Sequence, residues 1–217
     1  MATATELRSQ VAELSDQATA ELAAVWAQIR AGAEAPSVLM EVIPSLVLDY
    51  SDAAAVFTAQ WYDEYRAELN VPRAFTADLP TLDLGGEALA GWGESLITPD
   101  DVNWDAALQQ VSGGLEKRVA VAARETISQN VHEDPVGVGW QRQARPTGCG
   151  FCQMLAGRGA VYKSRDTGNF GAHDNCQCVA LPAFGGLPVP VRPYTPTSAT
   201  ITDADRARTR AWIKKNL

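Results

Sequence analysis

Apolar residues recur every three or four positions through residues 5–31: Leu7, Val11, Leu14, Ala18, Leu22, Val25 and Ile29. That step places them on one stripe of an α-helix. The segment is rich in alanine and free of proline, and Gly32 stands where a helix would stop. A second periodic stretch covers residues 36–70, with Tyr50, Ala54, Phe57, Trp61, Tyr65 and Leu69 on one face. Pro44 either kinks this helix or begins its main segment. The aromatic stripe predicts a core face against the first helix rather than a ligand box.

Periodicity fades over residues 71–98, where Pro72, Pro80, Gly85, Gly86, Gly91 and Gly93 punctuate the chain. This reads as a loop region with room for one short helix. Thr98-Pro99-Asp100-Asp101 then has the form of a helix start: a capping hydroxyl, proline at the first helical position, and acids near the positive end of the dipole. The predicted helix runs to about Val131, with Trp104, Leu108, Val111, Leu115, Val119, Ala122 and Ala123 as its apolar face. Gly113-Gly114 is expected to weaken or bend it, and Asp134-Pro135 to end it.

Beyond Val136 the texture changes, with more glycine, proline and cysteine. The β-prone pieces are short: Gly139–Arg142, Ala160–Tyr162 and Cys178–Leu181. Residues 182–200 read as extended. A short basic helix is expected from Asp203 to Leu217, with Thr202 as cap and Asp205 completing a capping box. The predicted fold is therefore mainly α. A helical region of about three long helices spans residues 1–135. A small α+β module spans 136–182, and an extended Pro-rich tail ending in the basic helix spans 183–217.

Charge divides the chain in the same place. The net charge is −8. Residues 1–138 hold 7 Lys/Arg against 22 Asp/Glu, whereas residues 139–217 hold 11 against 4. An acidic front and a basic rear point to different neighbours for the two halves. No apolar run approaches the roughly 20 residues of a membrane span, so no membrane partner is expected. Met1–Arg8 lacks the basic-then-apolar pattern of a signal peptide, which points to a cytoplasm-like compartment or a particle assembled there.

All four cysteines fall within 30 positions, and one of the two histidines lies among them. The order is Cys149-x2-Cys152, 20 residues, then His173-x2-Cys176-x-Cys178. A tight Cys-x2-Cys turn brings two thiolates to one ion, and the second cluster supplies the rest of about four tetrahedral ligands. Five candidates are present, so one is spare: Cys149, Cys152 and His173 with either Cys176 or Cys178. The cofactor so implied is one structural zinc ion. Gly148 and Gly150 permit the turn. Phe151, Met154, Leu155, Val161 and Tyr162 are candidates for a miniature core that the metal would help to hold. Asn175 and Gln177 are placed to donate to thiolates or backbone. Arg142, Arg145, Arg158, Lys163 and Arg165 surround the site as solvated charges or as contacts for an acidic or phosphate-bearing partner.

Two other chemistries suit the same residues. Four cysteines can pair as disulfides in three ways, although the lack of a signal peptide argues against an oxidising compartment. Alternatively, Cys149 or Cys152 could be a nucleophile with His173 as its base. That arrangement needs a third group to orient the imidazole and gives no role to the remaining thiols. Carboxylate pairs such as Asp63-Glu64 and Asp100-Asp101 fall at helix starts or polar faces. Gly85-Gly86 is not followed by the Gly-Lys-Ser/Thr of a phosphate loop.

Gly139-Trp140-Gln141-Arg142, Cys149-Gly150-Phe151-Cys152-Gln153-Met154-Leu155-Ala156, Gly159-Ala160-Val161-Tyr162, His173-Asp174-Asn175-Cys176-Gln177-Cys178 and Pro182 together resemble the C-terminal module of MuF-like phage head proteins, in the form seen in tailed phages of actinobacteria. The resemblance is specific over roughly residues 120–182 and loose over residues 1–100. It implies a minor capsid protein of head morphogenesis, located in the virion and made in the host cytoplasm. Its implied partners are the portal protein, the major capsid protein, or both, with packaged DNA as a further contact for the basic C-terminal region. Some relatives are described as capsid maturation proteases. A serine protease of that kind needs a Ser/His pair, and this chain offers only His132, near a helix end, and His173. A third reading is a zinc module that binds DNA, with Phe151, Tyr162 and Phe170 stacking on bases.

Overall fold

The computed structural model describes residues 2–98, 101–145, 147–148, 150–162, 170 and 176–185, with the single positions 207, 210, 211 and 214. Its architecture is mainly helical, with one two-stranded sheet among the described residues. Helix α1 spans Ala4–Arg30. The Thr3 hydroxyl accepts from the Glu6 amide, and the Glu6 side chain answers to the Thr3 amide, so a capping box fixes its start. Helix α2 spans Leu39–Glu68 after a short 3-10 turn, Pro36–Val38. Pro44 lies within its second turn without ending it.

Helix α3 spans Gly86–Ile97 and helix α4 Trp104–Glu133. The expected start of α4 at Thr98 is corrected: Asn103 is the cap, and its side chain accepts from the Ala106 amide. Thr98 instead ends α3, turning its hydroxyl back to the Glu94 carbonyl. Asparagine caps a helix at least as well as threonine, so the sequence held two competing starts. Pro99 and Asp100 lie outside the described residues. Gly113 and Gly114 do not break α4; both are buried in it. A Cβ at Gly114 would stand 2.7 Å from Leu89 Cδ1, so the missing side chain lets α3 lie close against α4.

α4 runs parallel to α2 and antiparallel to α1, so its two halves serve two cores. One core gathers Leu22, Trp26, Ile29, Leu39, Ile43, Leu89, Ile97, Val111 and Leu115. There Trp26 Nε1 donates to the Trp104 carbonyl at 3.2 Å. The aromatic stripe of α2 serves the other core, where Trp61 and Tyr62 lie buried with Leu7, Val11, Ile127 and Val131. Leu69, at the end of the stripe, is exposed. The segment Pro36–Glu68 is apolar enough by length and composition to cross a membrane, yet α2 is in contact with α1, α3 and α4.

The second core continues without a gap into the C-terminal part. Strand β1, Gly137–Gln143, pairs antiparallel with β2, Val179–Phe184, and both pack on α4. Trp140, Cys152, Tyr162, Phe170, Cys176, Cys178 and Val179 belong to the same buried cluster as Leu7 and Ile127. Gly139 sits at an irregularity in the ladder with φ +141°, where a Cβ would stand 2.5 Å from the Tyr162 carbonyl oxygen. Trp140 exchanges backbone hydrogen bonds with Tyr162. Pro182, which lacks an N–H, sits opposite Trp140 and has no bond to supply there. The expected basic helix of residues 203–217 and its Thr202/Asp205 cap lie mostly outside the described residues. Ala207, Arg210, Ala211 and Lys214 are helical and exposed.

Candidate metal centre

Three of the five predicted ligands meet. Cys152 lies in the first turn of a short helix α5, Gly150–Ala156; Cys176 and Cys178 lead into β2. Their sulfurs all lie within 4.8 Å of one another, and all three residues are buried. Cys152 Sγ and Cys176 Sγ are 3.8 Å apart, too far for a disulfide, whose S–S bond is about 2.05 Å. A tetrahedral ion with metal–sulfur bonds of about 2.3 Å separates its sulfur ligands by about 3.8 Å, so the spacing fits such an ion. Both Cys176 and Cys178 reach Cys152. Cys149 and His173 lie outside the described residues.

The chain around the thiols explains why they converge. β1 and β2 bring the run before Cys178 beside Arg142, whose Nη1 approaches Cys152 Sγ at 3.6 Å. Arg124, on α4, donates from Nε to the Cys178 carbonyl at 3.0 Å and from Nη2 to the Cys176 carbonyl at 2.5 Å. One guanidinium thus fixes the two carbonyls flanking Gln177 with its planar fork. Phe170 lies under both cations, with the Arg142 guanidinium carbon 3.8 Å and that of Arg124 4.4 Å from the ring centroid. Its other neighbour is Trp140, stacked at 5.4 Å, and Trp140 stacks in turn on Tyr162 at 4.5 Å.

Two cations removed from water need nearby negative charge. Arg124 is 3% and Arg142 2% exposed. The buried carboxylate Asp134 is already engaged by Arg66 and Tyr62. Among the described residues, the cysteine sulfurs stand against both guanidinium groups. A hydrogen bond from Cys178 and the charge of Arg124 pull the Cys176 thiol down, against its burial. The same hydrogen bond and burial push Cys178 up. Burial lowers Arg124 to about 10, which leaves it a cation at neutral pH. The Cys176 sulfur is therefore placed to carry thiolate charge, the form in which cysteine ligates metal.

Several sequence-level assignments change. Arg142, expected as a solvated charge or as a contact for an acidic or phosphate-bearing partner, is buried against the thiols. Arg145 and Arg158 are exposed, and Arg145 donates to the Gln177 side chain at 2.6 Å. Gln177 faces solvent there and has no described bond to a thiolate. Asn175, Lys163 and Arg165 lie outside the described residues. Phe151 is 42% exposed and not a core residue; Trp140 and Phe170 fill that role because β1 carries the tryptophan inward. Tyr162 and Phe170, candidates for stacking on bases, are buried against Trp140. Arg124 was not anticipated. Its one signal is an arginine ending the run Val119-Ala120-Val121-Ala122-Ala123 on a helix face that otherwise reads as apolar.

A family model described as VG15 protein matches residues 1–200. No curated protein matches the chain, and no solved structure does.

Proposed function

The chain belongs to the VG15 protein family, which marks it as a phage protein, and from that premise we propose that it is a minor capsid protein of head morphogenesis. In this reading it is an assembly component whose C-terminal part is locked by one structural zinc ion. The motif order shared with MuF-like head proteins over roughly residues 120–182 supports the finer assignment. Cys152, Cys176 and Cys178 would hold the ion, with Cys149 or His173 completing four ligands. Three thiolates leave one negative charge on a divalent site and four leave two. Arg124 and Arg142 stand beside the sulfurs to offset either.

The observation that carries the reading is the burial of the cluster. The three cysteines are 2%, 7% and 3% exposed and are tied to α4, β1 and β2. Thiols buried this deeply hold parts together, whereas a catalytic metal or thiol keeps an open position for substrate. This counts against a protease that uses Cys152, and the inward stacking of Tyr162 and Phe170 counts against base recognition there. The bound ion would fix the strand pair to α4 and present the basic rear segment to an acidic portal or capsid surface.

Coexpression with the portal protein and with the major capsid protein of the same phage tests the proposal. Co-elution with at least one of them, weakened by high salt, is the expected result. Cleavage of the capsid protein, abolished in a folded Cys152→Ala variant, would support the protease reading instead.

A further inference from the structure

Away from the thiols, with no lining residue in common, α2 and the segment before α3 border a groove of about 460 Å³. It falls in the range of sites that bury a small ligand or a few side chains, about 300–1,000 Å³. Its floor is apolar, with Pro44, Val47, Leu82 and Leu84, and Leu48 at the edge is 60% exposed. The walls are held in place. Arg118 donates to the Gly85 carbonyl at 3.1 Å, and a Cβ on Gly86 would stand 2.9 Å from Pro44 Cα, so α3 begins in direct contact with α2.

Two observations point to an occupant. Ser51 lines the groove and is 3% exposed, yet its hydroxyl has no hydrogen-bond partner among the described residues. A buried hydroxyl without a partner is costly and calls for one. Around the mouth stand three exposed carboxylates, Asp52, Asp83 and Glu87. The first turn of α3, which Gly85 leaves without a side-chain cap, lines the same opening, and helix-start amides seek acceptors.

We propose that this groove docks a peptide segment of a partner protein in which leucine-like side chains alternate with lysine or arginine. The apolar side chains would enter between Val47 and Leu84, and the cations would meet Asp52, Asp83 and Glu87. Peptide carbonyls and amides would partner the first turn of α3 and the Ser51 hydroxyl. The site is independent of the thiol cluster and of the assembly reading.

The probe is acetyl-Leu-Lys-Leu-Lys-amide, titrated into the isotope-labelled full-length chain and followed by amide chemical shifts. Perturbations are expected around Leu48, Ser51, Leu84 and Ala88. The triple variant Asp52→Asn, Asp83→Asn, Glu87→Gln is expected to bind about tenfold more weakly. Asn at position 83 keeps the acceptor that the Gly85 amide uses at 3.0 Å. Ala88→Trp, at an exposed position, should block the groove while leaving the melting temperature unchanged. Equal binding of acetyl-Leu-Glu-Leu-Glu-amide, shifts confined to other surfaces, or undiminished binding by the triple variant would overturn the proposal.

Discussion

Arg66 Nε donates to Asp134 Oδ2 at 2.5 Å, and Arg66 Nη2 to Oδ1 at 3.1 Å, with neither side chain more than 8% exposed. The Tyr62 hydroxyl and the Val136 amide also donate to this carboxylate. The pair joins α2 to the point where α4 gives way to β1.

Breaking this pair from one side should be costly. Arg66→Ala or Asp134→Ala is expected to lower stability by about 3–5 kcal/mol, because the remaining charge is left buried. Urea unfolding of each variant beside the parent measures this. Burial pushes the Asp134 carboxyl up, but the bonds from Arg66, Val136 and Tyr62 outweigh it and hold it below its usual value of 3.8. A depressed folded value stabilises the protein above the unfolded value and is lost as pH falls through the folded one. Parent stability should therefore drop below about pH 4, and Asp134→Asn should lack that part of the drop.

Asn130 clamps the loop between α2 and α3. Its side-chain oxygen accepts from the Asp78 amide at 2.8 Å, and its amide nitrogen donates to the Asp78 carbonyl at 2.9 Å. Asn130→Ala is expected to cost about 1–3 kcal/mol and to speed hydrogen exchange at Ala77 and Asp78. Unchanged exchange there would show that the loop is held by other contacts.

Gly139→Ala addresses the strand irregularity. The left-handed φ and the carbonyl of Tyr162 both oppose a side chain, so a loss of roughly 1–3 kcal/mol is expected. The Trp140–Tyr162 stack should loosen, seen as a weaker near-ultraviolet dichroism.

These contacts mark the limit of what could be read from the chain. The stripes of α1, α2 and α4 were legible because burial on one face forces the 3.6-residue period. The meeting of Cys152, Cys176 and Cys178 was legible because cysteines grouped in two short clusters read as one site; Cys149 and His173, expected with them, lie outside the described residues. Arg66–Asp134, Asn130–Asp78 and Arg124 over the Cys176 and Cys178 carbonyls were not, since each pairs residues more than 50 positions apart whose types alone suggest solvated surface. The start of α4 was misplaced because Thr98 and Asn103 are both good caps, and only the packing of α3 selects between them. The continuity of the second core from Leu7 to Cys178 also had no local signal.

Arg124 offers a test of what holds the Cys176 and Cys178 backbone in place. Lysine keeps the charge but lacks the planar fork that spans both carbonyls. Arg124→Lys is expected to weaken metal binding about 10–100-fold, read by competition with a chromophoric chelator. An unchanged affinity would assign Arg124 to packing alone.

The claim on which the rest depends is that the thiol cluster binds one ion. Elemental analysis of the full-length protein purified under reducing conditions measures this, paired with thermal melts before and after chelation. The expected result is one zinc per chain, and a chelated protein whose strand region melts well below the parent, since structural zinc contributes on the order of 10 kcal/mol in small domains. Metal-free protein that melts identically with and without chelator would contradict it.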